Sequence, residues 1–254
     1  MTRTPGTVVR KILRHVRGGR HDEPVVIESR PGGSGRAQQI PRVLYQTALS
    51  AKVHKLHAKS IQEFRSLNCD LSFELFDQAA VDMYMKKSWG DHPIYDVYCR
   101  SLVGQMKADI FRYCIIEERG GYYFDLTKGC SRPITSLHKA EARALITAEA
   151  NPELLFPDPD VAADLDRPFS LIAQWGFGFC PRHPILRNAI SRIVEIEPLF
   201  RDVIFPRPKA AVLALTGPGL FTWAVREFIS DYGAKDIEQA GVDFWGSGIY
   251  RLRG

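Results

Sequence analysis

The sequence predicts an α/β domain, a sheet flanked by helices, and two stretches support this prediction. Residues 40–76 read as strand, helix, strand, because an apolar run at 43–45 and an alternating run at 71–76 are separated by a helical pattern over 52–67. Residues 105–125 read as a helix, a two-glycine break and a short buried strand. A strand–helix–strand order implies a parallel pair with a right-handed crossover.

Composition is that of an ordinary globular chain. The 254 residues are 45% hydrophobic and 25% charged, enough for one domain with a sizeable core. No run approaches the roughly 20 apolar residues that span a membrane, and no apolar signal-peptide core follows Met1. Five cysteines form no CxxC pair, which predicts free thiols in the cytoplasm and argues against a disulfide scaffold or a zinc site.

Positive charge is concentrated at the amino terminus. Residues 1–42 hold nine basic and three acidic side chains, whereas the remainder holds 25 and 26. We therefore predict a basic extension over 1–39, ending in a Gly/Ser/Pro-rich linker, and one domain over 40–254. A short basic amphipathic helix in the extension would rest on the inner face of a membrane, dock on its own domain, or be disordered. Nucleic-acid binding is not expected, because no folded basic patch carries aromatic platforms.

The stretch QMKADIFRYCIIEERGGYYFDLTKG, residues 105–129, carries the candidate chemistry. Asp109 and Arg112 are three apart and share a helix face, and Asp125 follows the strand. Ligands of α/β sheets bind at the carboxyl ends of strands. A carboxylate there would hold sugar hydroxyls or a divalent cation, and an arginine would hold hydroxyls or a phosphate. The alternative is a surface ion pair beside a turn-capping carboxylate.

This stretch resembles the donor-site signature of the glycosyltransferases with a DXD-containing sugar-binding region, glycosyltransferase family 32. Members read K-x-D-x-x-R-x-x-x-L-x-x-x-G-G-x-Y-x-D-x-D. One departure is that Thr127 replaces the second aspartate of the DXD, and Lys128 follows it. Seven positions match in register: Lys107, Asp109, Arg112, Gly120, Gly121, Tyr123 and Asp125.

Other stretches follow the family's order and imply further donor contacts. The first strand ends in a segment that contacts the nucleotide in the family, the stretch around Gln174 faces the donor sugar, and a TGP turn lines the pocket. The implied roles are that Asp109 and Arg112 hold sugar hydroxyls and that Asp125 binds the ribose or the diphosphate. The additional donor-binding residues are Tyr45, Gln46, Thr47, Gln174, Thr216, Gly217 and Pro218.

The resemblance implies Mn²⁺ or Mg²⁺ at Asp125, with Thr127 as a weaker, neutral second ligand and Ser247 as a further candidate. Lys128 would partly replace the charge of a cation. Many members carry a late His and Trp near the carboxyl end. Here Asp243, Trp245 and Ser247 are the stand-ins, since no histidine follows His183.

The resemblance also implies a fold and an activity. The fold is a GT-A, Rossmann-like nucleotide-sugar-binding domain with a mixed, mostly parallel sheet. The activity is retaining transfer of a sugar from a UDP- or GDP-sugar to a glycan or lipid-linked saccharide, in bacterial surface polysaccharide synthesis by analogy. The alternative is a catalytically impaired relative that binds nucleotide sugar or glycan without turnover. A dinucleotide enzyme would need GxGxxG after the first strand, where Gln46, Thr47 and Ala48 stand instead.

Several further expectations concern structure. Helices are predicted over 78–87 and 185–194, with His92 and His183 structural rather than catalytic. Strands are predicted over 143–147, within 170–180 and over 212–215. The proline-rich, acidic segment 150–168 is expected to form a lid over the site or a solvated excursion.

Overall fold

The computed structural model of the chain describes residues 25–33, 35, 37–50, 52–152 and 156–246. The predicted amphipathic helix of the amino-terminal extension and its membrane contact lie outside these residues, as does Ser247. No helix among them is long and apolar enough to cross a membrane.

A mixed seven-stranded sheet forms the centre of the domain, and it confirms the predicted α/β class. Its strands are β2 (Val43–Thr47), β4 (Ser72–Phe76), β5 (Gly121–Phe124), β6 (Ala144–Pro152), β7 (Ser170–Ile172), β8 (Gly176–Phe179) and β9 (Ile237–Val242). A separate pair, β1 (Val25–Val26) and β3 (Lys52–Val53), lies outside the sheet.

The strands of the sheet run in the order β4-β2-β5-β8-β6-β7, with β9 paired to β6. β2 pairs in parallel with β4 and β5, whereas β8 joins β5 to β6 by antiparallel pairing.

Helices flank this sheet, and most begin where the sequence places an N-cap or a proline. His92 and His183 cap two of them, each accepting a hydrogen bond on Nδ1 from the backbone two residues on, which confirms their structural role. The helices are α1 (Lys55–Leu67), α2 (Gln78–Trp89), α3 (Pro93–Arg100), α4 (Gly104–Arg119), α5 (Pro159–Asp164), α6 (Pro184–Ile196), α7 (Pro208–Leu215) and α8 (Pro218–Tyr232), with 3₁₀ turns at Ile134–Ser136 and Glu197–Phe200.

Three of the predicted elements are corrected. The run 212–215 is the end of helix α7, not a strand, because Pro208 opens a helix and a four-residue apolar run has no period of its own. The helix predicted from residue 52 begins at Lys55, after the short strand β3. The segment 150–168 contains the end of β6 and helix α5, which packs against α8.

Strand β5 lies between the two halves of the core, and all four of its residues are buried. Tyr123 packs in the cluster with α4, α6 and α8, whereas Tyr122 and Phe124 pack in the cluster on the other face. The alternation of β5 therefore fixes where its last residue emerges. Asp125 follows Phe124 at the carboxyl edge of the sheet, as the sequence predicts, and its backbone N–H donates to the Trp175 carbonyl at 2.8 Å.

The glycine pair before β5 sets the direction of the strand. Gly120 and Gly121 have φ of 67° and 104°, where only glycine is unstrained. A Cβ on Gly120 would lie 2.7 Å from the Pro181 nitrogen, and one on Gly121 would lie 2.6 Å from the Val43 carbonyl oxygen. The helix therefore reverses into the strand within two residues, which confirms the predicted break.

Candidate functional site

Arg112 is the centre of a buried polar cluster at the carboxyl edge of β5. Its Nη2 lies 3.1 Å from Asp109 Oδ1 and 3.1 Å from Asp125 Oδ1. Its Nη1 donates to the Gln174 carbonyl at 3.0 Å, and the guanidinium lies 4.5 Å from the centre of the Tyr123 ring. One cation thus joins helix α4, the end of β5 and the segment between β7 and β8.

Asp109 connects this cluster to the start of helix α8. Its Oδ2 accepts a 2.9 Å hydrogen bond from Thr216 Oγ1, and Thr216 immediately precedes the N-cap residue Gly217. The Asp109 side chain is only 1% exposed. Its Oδ1 is buried and faces the Arg112 cation, and it accepts no other hydrogen bond among the described residues.

Gln174 and Tyr113 close the buried side of the cluster. Gln174 Nε2 donates to the Tyr113 hydroxyl at 2.7 Å and to the Thr216 carbonyl at 2.8 Å, and the Tyr113 hydroxyl donates to the same carbonyl at 2.9 Å. Gln174 reaches this position because β7 and β8 both pair with β6, and residues 173–175 link them past the end of β5.

Asp125 is the accessible member of the cluster, with a side chain 36% exposed. Its Oδ1 accepts a 3.2 Å hydrogen bond from the Tyr123 hydroxyl, which lies 2.9 Å from Thr47 Oγ1. Thr47 ends strand β2, the neighbour of β5. The carboxyl ends of two parallel strands therefore present Thr47 and Asp125 side by side, as ligand-binding edges of α/β sheets do.

The two buried charges respond differently to their surroundings. Burial raises the pKa of Asp109 to about 6, because lost hydration outweighs the attraction of Arg112 and the hydrogen bond from Thr216. For Arg112, burial acts to lower the pKa, but Asp125, Tyr123 and Asp109 raise it above its ordinary value. Arg112 therefore stays charged at all accessible pH, whereas Asp109 gains or loses its proton near the physiological range.

The predicted metal ligands form a sparse donor set. Thr127 is exposed in the turn after Asp125, and both recorded contacts of the Asp125 carboxylate fall on Oδ1. No group of three or more His, Cys, Asp or Glu residues suited to a metal occurs in the described part of the chain. One accessible carboxylate beside a neutral threonine does not fit a cation held by protein ligands alone.

A lysine, Lys128, directly follows Thr127 and carries a positive charge. Lys128 donates its backbone N–H to the Asp125 carbonyl at 2.8 Å, and its Nζ lies 5.0 Å from the centre of the Trp175 ring. Its charge also acts on Asp243: burial raises the pKa of Asp243, and the attraction of Lys128 lowers it. The backbone of Lys128 is thus held beside Asp125, while its Nζ lies over the Trp175 ring.

Two of the three carboxyl-terminal stand-ins, Asp243 and Trp245, lie on a strained turn. Asp243, Phe244, Trp245 and Gly246 all have positive φ, and each non-glycine residue there costs about 1–2 kcal/mol. The turn is held because Phe244 N donates to Thr147 Oγ1 at 2.9 Å and its ring packs on Phe124 and Trp175. Trp245 remains half exposed. Backbone strain of this kind concentrates at functional sites.

Several predicted donor contacts are not brought into the cluster. Tyr45 and Gln46 are buried in the core; Tyr45 packs on Phe76, and Gln46 Oε1 accepts from Arg65. Gly120 and Gly121 lie at the opposite end of β5 from Asp125, and Gly121, the nearer one, is about 13 Å away at 3.3 Å per residue. Lys107 lies over the Tyr98 ring at 4.8 Å, and Gly217 and Pro218 are buried at the start of α8.

Tyr113 is a residue of the site that the sequence motif did not identify. Its hydroxyl completes the network around Gln174 and Thr216, and a usable signal was its spacing of four from Asp109 on the same helix. A buried tyrosine hydroxyl needs a partner, so a tyrosine one turn beyond a buried carboxylate belongs to the same site.

Comparison with known proteins identifies relatives of one kind. The family described as "Glycosyltransferase sugar-binding region containing DXD motif" matches residues 54–144, which include Asp109, Arg112 and Asp125. The chain is 25% identical over 209 residues to the "Initiation-specific alpha-1,6-mannosyltransferase" of Schizosaccharomyces pombe, covering 78% of this chain and 51% of that protein. The resemblance inferred from the sequence motif is thereby confirmed.

A second relative and one solved structure extend the comparison. The chain is 29% identical over 106 residues to "Mannosyl phosphorylinositol ceramide synthase CSH1" of Saccharomyces cerevisiae, covering 41% of this chain and 27% of that protein. The chain thus spans about half the length, or less, of these curated relatives. The structure titled "PaToxG Glycosyltransferase" shares the fold, with a TM-score of 0.53 at 13% identity over 90% of this chain and 79% of that one.

Proposed function

We propose that this chain transfers a sugar from a nucleotide-sugar donor to a glycan or lipid-linked saccharide, because it resembles the glycosyltransferases with a DXD-containing sugar-binding region. One observation carries the proposal: Asp109, Arg112 and Asp125, with Thr216 and Gln174, form a single cluster at the carboxyl edge of β5. Mannose is the sugar we propose first, since the curated relatives are named for mannosyl transfer.

The donor sugar is proposed to lie on the Asp109–Arg112 pair. Asp109 Oδ1 is buried and accepts no hydrogen bond besides its ion pair with Arg112, so the site must open to admit the sugar. A sugar hydroxyl that reached this oxygen would gain a charge-assisted hydrogen bond in a site of low dielectric. The Nη2 group of Arg112 contacts both carboxylates, and the Gln174 carbonyl fixes the planar guanidinium through Nη1. Asp125, the exposed member, would meet the ribose or the diphosphate next to the sugar.

The leaving nucleotide diphosphate develops negative charge in the transition state, and that charge must be stabilised. Since the donor set does not fit a metal held by protein alone, we assign this role to Lys128, whose backbone is tied to Asp125. Mn²⁺ or Mg²⁺ would then not be required for turnover. No further carboxylate lies in the cluster among the described residues to serve as general base, which suits a retaining, front-face mechanism in which the leaving phosphate takes the acceptor proton.

The setting in bacterial surface polysaccharide synthesis stays a prediction, and the curated relatives named above are fungal. A relative that binds donor without turnover is the second candidate, because Thr127 stands where the family has a carboxylate.

The test is an assay of free nucleotide release from a panel of UDP- and GDP-sugars, with saccharide acceptors, in Mn²⁺ or in EDTA. We expect release from one donor, loss of at least about 100-fold in Asp125→Asn, and persistence in EDTA. Asp96→Asn, at an exposed aspartate on α3, is the matched control. Donor binding without release would favour the second candidate, and neither binding nor release would refute the proposal.

A metal-dependent site damaged by Thr127 would behave differently. In that case Thr127→Asp would raise turnover in Mn²⁺ but not in EDTA. The Lys128 assignment predicts no such rise, and it predicts a loss of about 10- to 100-fold in Lys128→Ala with partial recovery in Lys128→Arg.

A further inference from the structure

An apolar groove of about 730 Å³ lies on the face formed by the α3–α4 loop, the 3₁₀ turn at Glu197–Phe200, the loop 201–207 and helix α7. Two apolar side chains that line it are almost fully exposed: Leu102 is 97% exposed and Ile204 is 93% exposed. Val103 and Val203 line the same groove and are about half exposed. We call these four residues the apolar lip. Soluble proteins rarely leave such residues clustered in water without a partner.

The two loops that carry the apolar lip are held together by ion pairs. Glu197, which is buried, lies 3.1 Å from Arg100 at the end of α3 and also pairs with Arg201. The attraction of Arg201 and Arg100 lowers the pKa of Glu197 against the effect of its burial. Phe200 and Phe205 stack at 5.4 Å beneath the lip. Ion pairs and an aromatic contact therefore hold in place the two segments that carry the apolar lip.

The same face is basic. Segments 100–107 and 197–209 carry five basic side chains (Arg100, Lys107, Arg201, Arg207, Lys209) and two acidic ones (Glu197, Asp202). Beyond residue 42 the chain as a whole carries 25 basic and 26 acidic side chains, so this excess is local. Arg100 and Arg201 pair with Glu197, so the excess falls on Lys107, Arg207 and Lys209. Exposed apolar side chains on segments with an excess of lysine and arginine match the chemistry of an anionic bilayer, where apolar side chains enter the interface and cations meet the headgroups.

The groove also adjoins the candidate site. Met106 lines the groove one turn before Asp109 on α4, and Leu215 lines it immediately before Thr216. Thr216 is the residue that donates to Asp109. The groove and the cluster therefore share helix α4 and the junction between α7 and α8.

We propose that this face docks the protein on an anionic membrane surface, with Leu102, Val103, Val203 and Ile204 entering the interface. The proposal goes beyond the transferase activity and does not depend on it, because docking needs neither donor nor turnover. It also concerns a surface separate from the basic amino-terminal extension.

The test is co-sedimentation of the full chain with vesicles of phosphatidylcholine alone and of phosphatidylcholine with about one quarter phosphatidylglycerol. We expect binding to the anionic vesicles, weakened by salt. Leu102→Asp/Ile204→Asp should lower the bound fraction at least about fivefold. The matched control is Met83→Asp/Tyr232→Asp, at two exposed apolar residues that do not line the groove, and it should bind within about twofold of the unchanged chain.

Equal binding by the lip variant and the unchanged chain would overturn the proposal, since another segment would then hold the vesicles. The proposal would also be overturned if the unchanged chain bound neither kind of vesicle. Light scattering on the same samples tests whether this face instead joins two copies of the chain. If the unchanged chain is a dimer that does not bind vesicles, and the lip variant is a monomer, membrane docking is refuted. Nucleotide release is measured without vesicles, so its success or failure leaves this test unaffected.

Discussion

Arg112 is the single residue on which the geometry of the candidate site depends. It is the shared partner of Asp109 and Asp125, and it also binds the main chain at Gln174. A lysine has one compact charge and no fork, so it cannot serve three partners in these directions. Removing the cation would leave the Asp109 carboxylate buried without a positively charged partner, and an unpaired buried charge is strongly destabilising.

We predict that Arg112→Ala lowers the free energy of unfolding by about 3–5 kcal/mol and that Arg112→Lys is intermediate. The comparison is Arg187→Ala, since Arg187 is exposed and lies 3.7 Å from Glu117, and its loss should cost under about 1 kcal/mol. Urea unfolding measures all three variants. Equal stability of Arg112→Ala and Arg187→Ala would show that the buried cluster does not hold the fold together.

Asp109 gives a pH dependence whose sign follows from its raised pKa. The folded pKa of about 6 lies above the unfolded value, so its stabilising contribution is complete below about pH 4 and is lost as pH rises through about 6. Asparagine does not titrate. The unfolding free energy of the unchanged chain minus that of Asp109→Asn should therefore fall between about pH 4 and pH 7. A difference that is flat or rises with pH would contradict the buried, desolvated carboxylate.

At the scale of elements, the turn between α4 and β5 decides where Asp125 emerges. Both glycines have positive φ and neither has room for a Cβ. The sequence alone predicted this break and the strand that follows it, because glycine pairs and aromatic runs are strong local signals. It failed at 212–215, where four apolar residues fit a strand or a buried helix equally and only Pro208 pointed to the helix.

We predict that Gly121→Ala lowers the unfolding free energy by at least about 1–2 kcal/mol and reduces nucleotide release, since strain at φ 104° and contact with Val43 would shift β5. Gly104→Ala is the matched control. Gly104 begins α4, and a Cβ added there would meet no atom within 4 Å. Alanine at this position should therefore be neutral or stabilising by up to about 1 kcal/mol. Thermal unfolding compares the two variants, and an equal loss in both would contradict the role of the turn.

At the scale of the whole molecule, the sheet brings together residues that are more than 60 positions apart in sequence. Asp109, Arg112 and Asp125 were predictable as one group because they lie within one helix–strand unit. Gln174 and Thr216 join them only through the pairing of β7 and β8 with β6 and through the packing of α8, and family resemblance rather than local pattern suggested them. The burial of Tyr45 and Gln46 was not predictable from a short strand alone, since either face of that strand could be covered.

Because those distant residues converge on Asp109, the central claim is that Asp109 receives the sugar of the donor, whereas the nucleotide lies on Asp125. Isothermal titration of the unchanged chain and Asp109→Asn, each with the active nucleotide sugar and with the matching nucleoside diphosphate, tests it most directly. We predict that the variant binds the nucleotide sugar at least about tenfold more weakly and the diphosphate within about twofold, a charge-assisted hydrogen bond being worth about 1.5–3 kcal/mol. Equal weakening of both ligands, or of neither, would contradict the account.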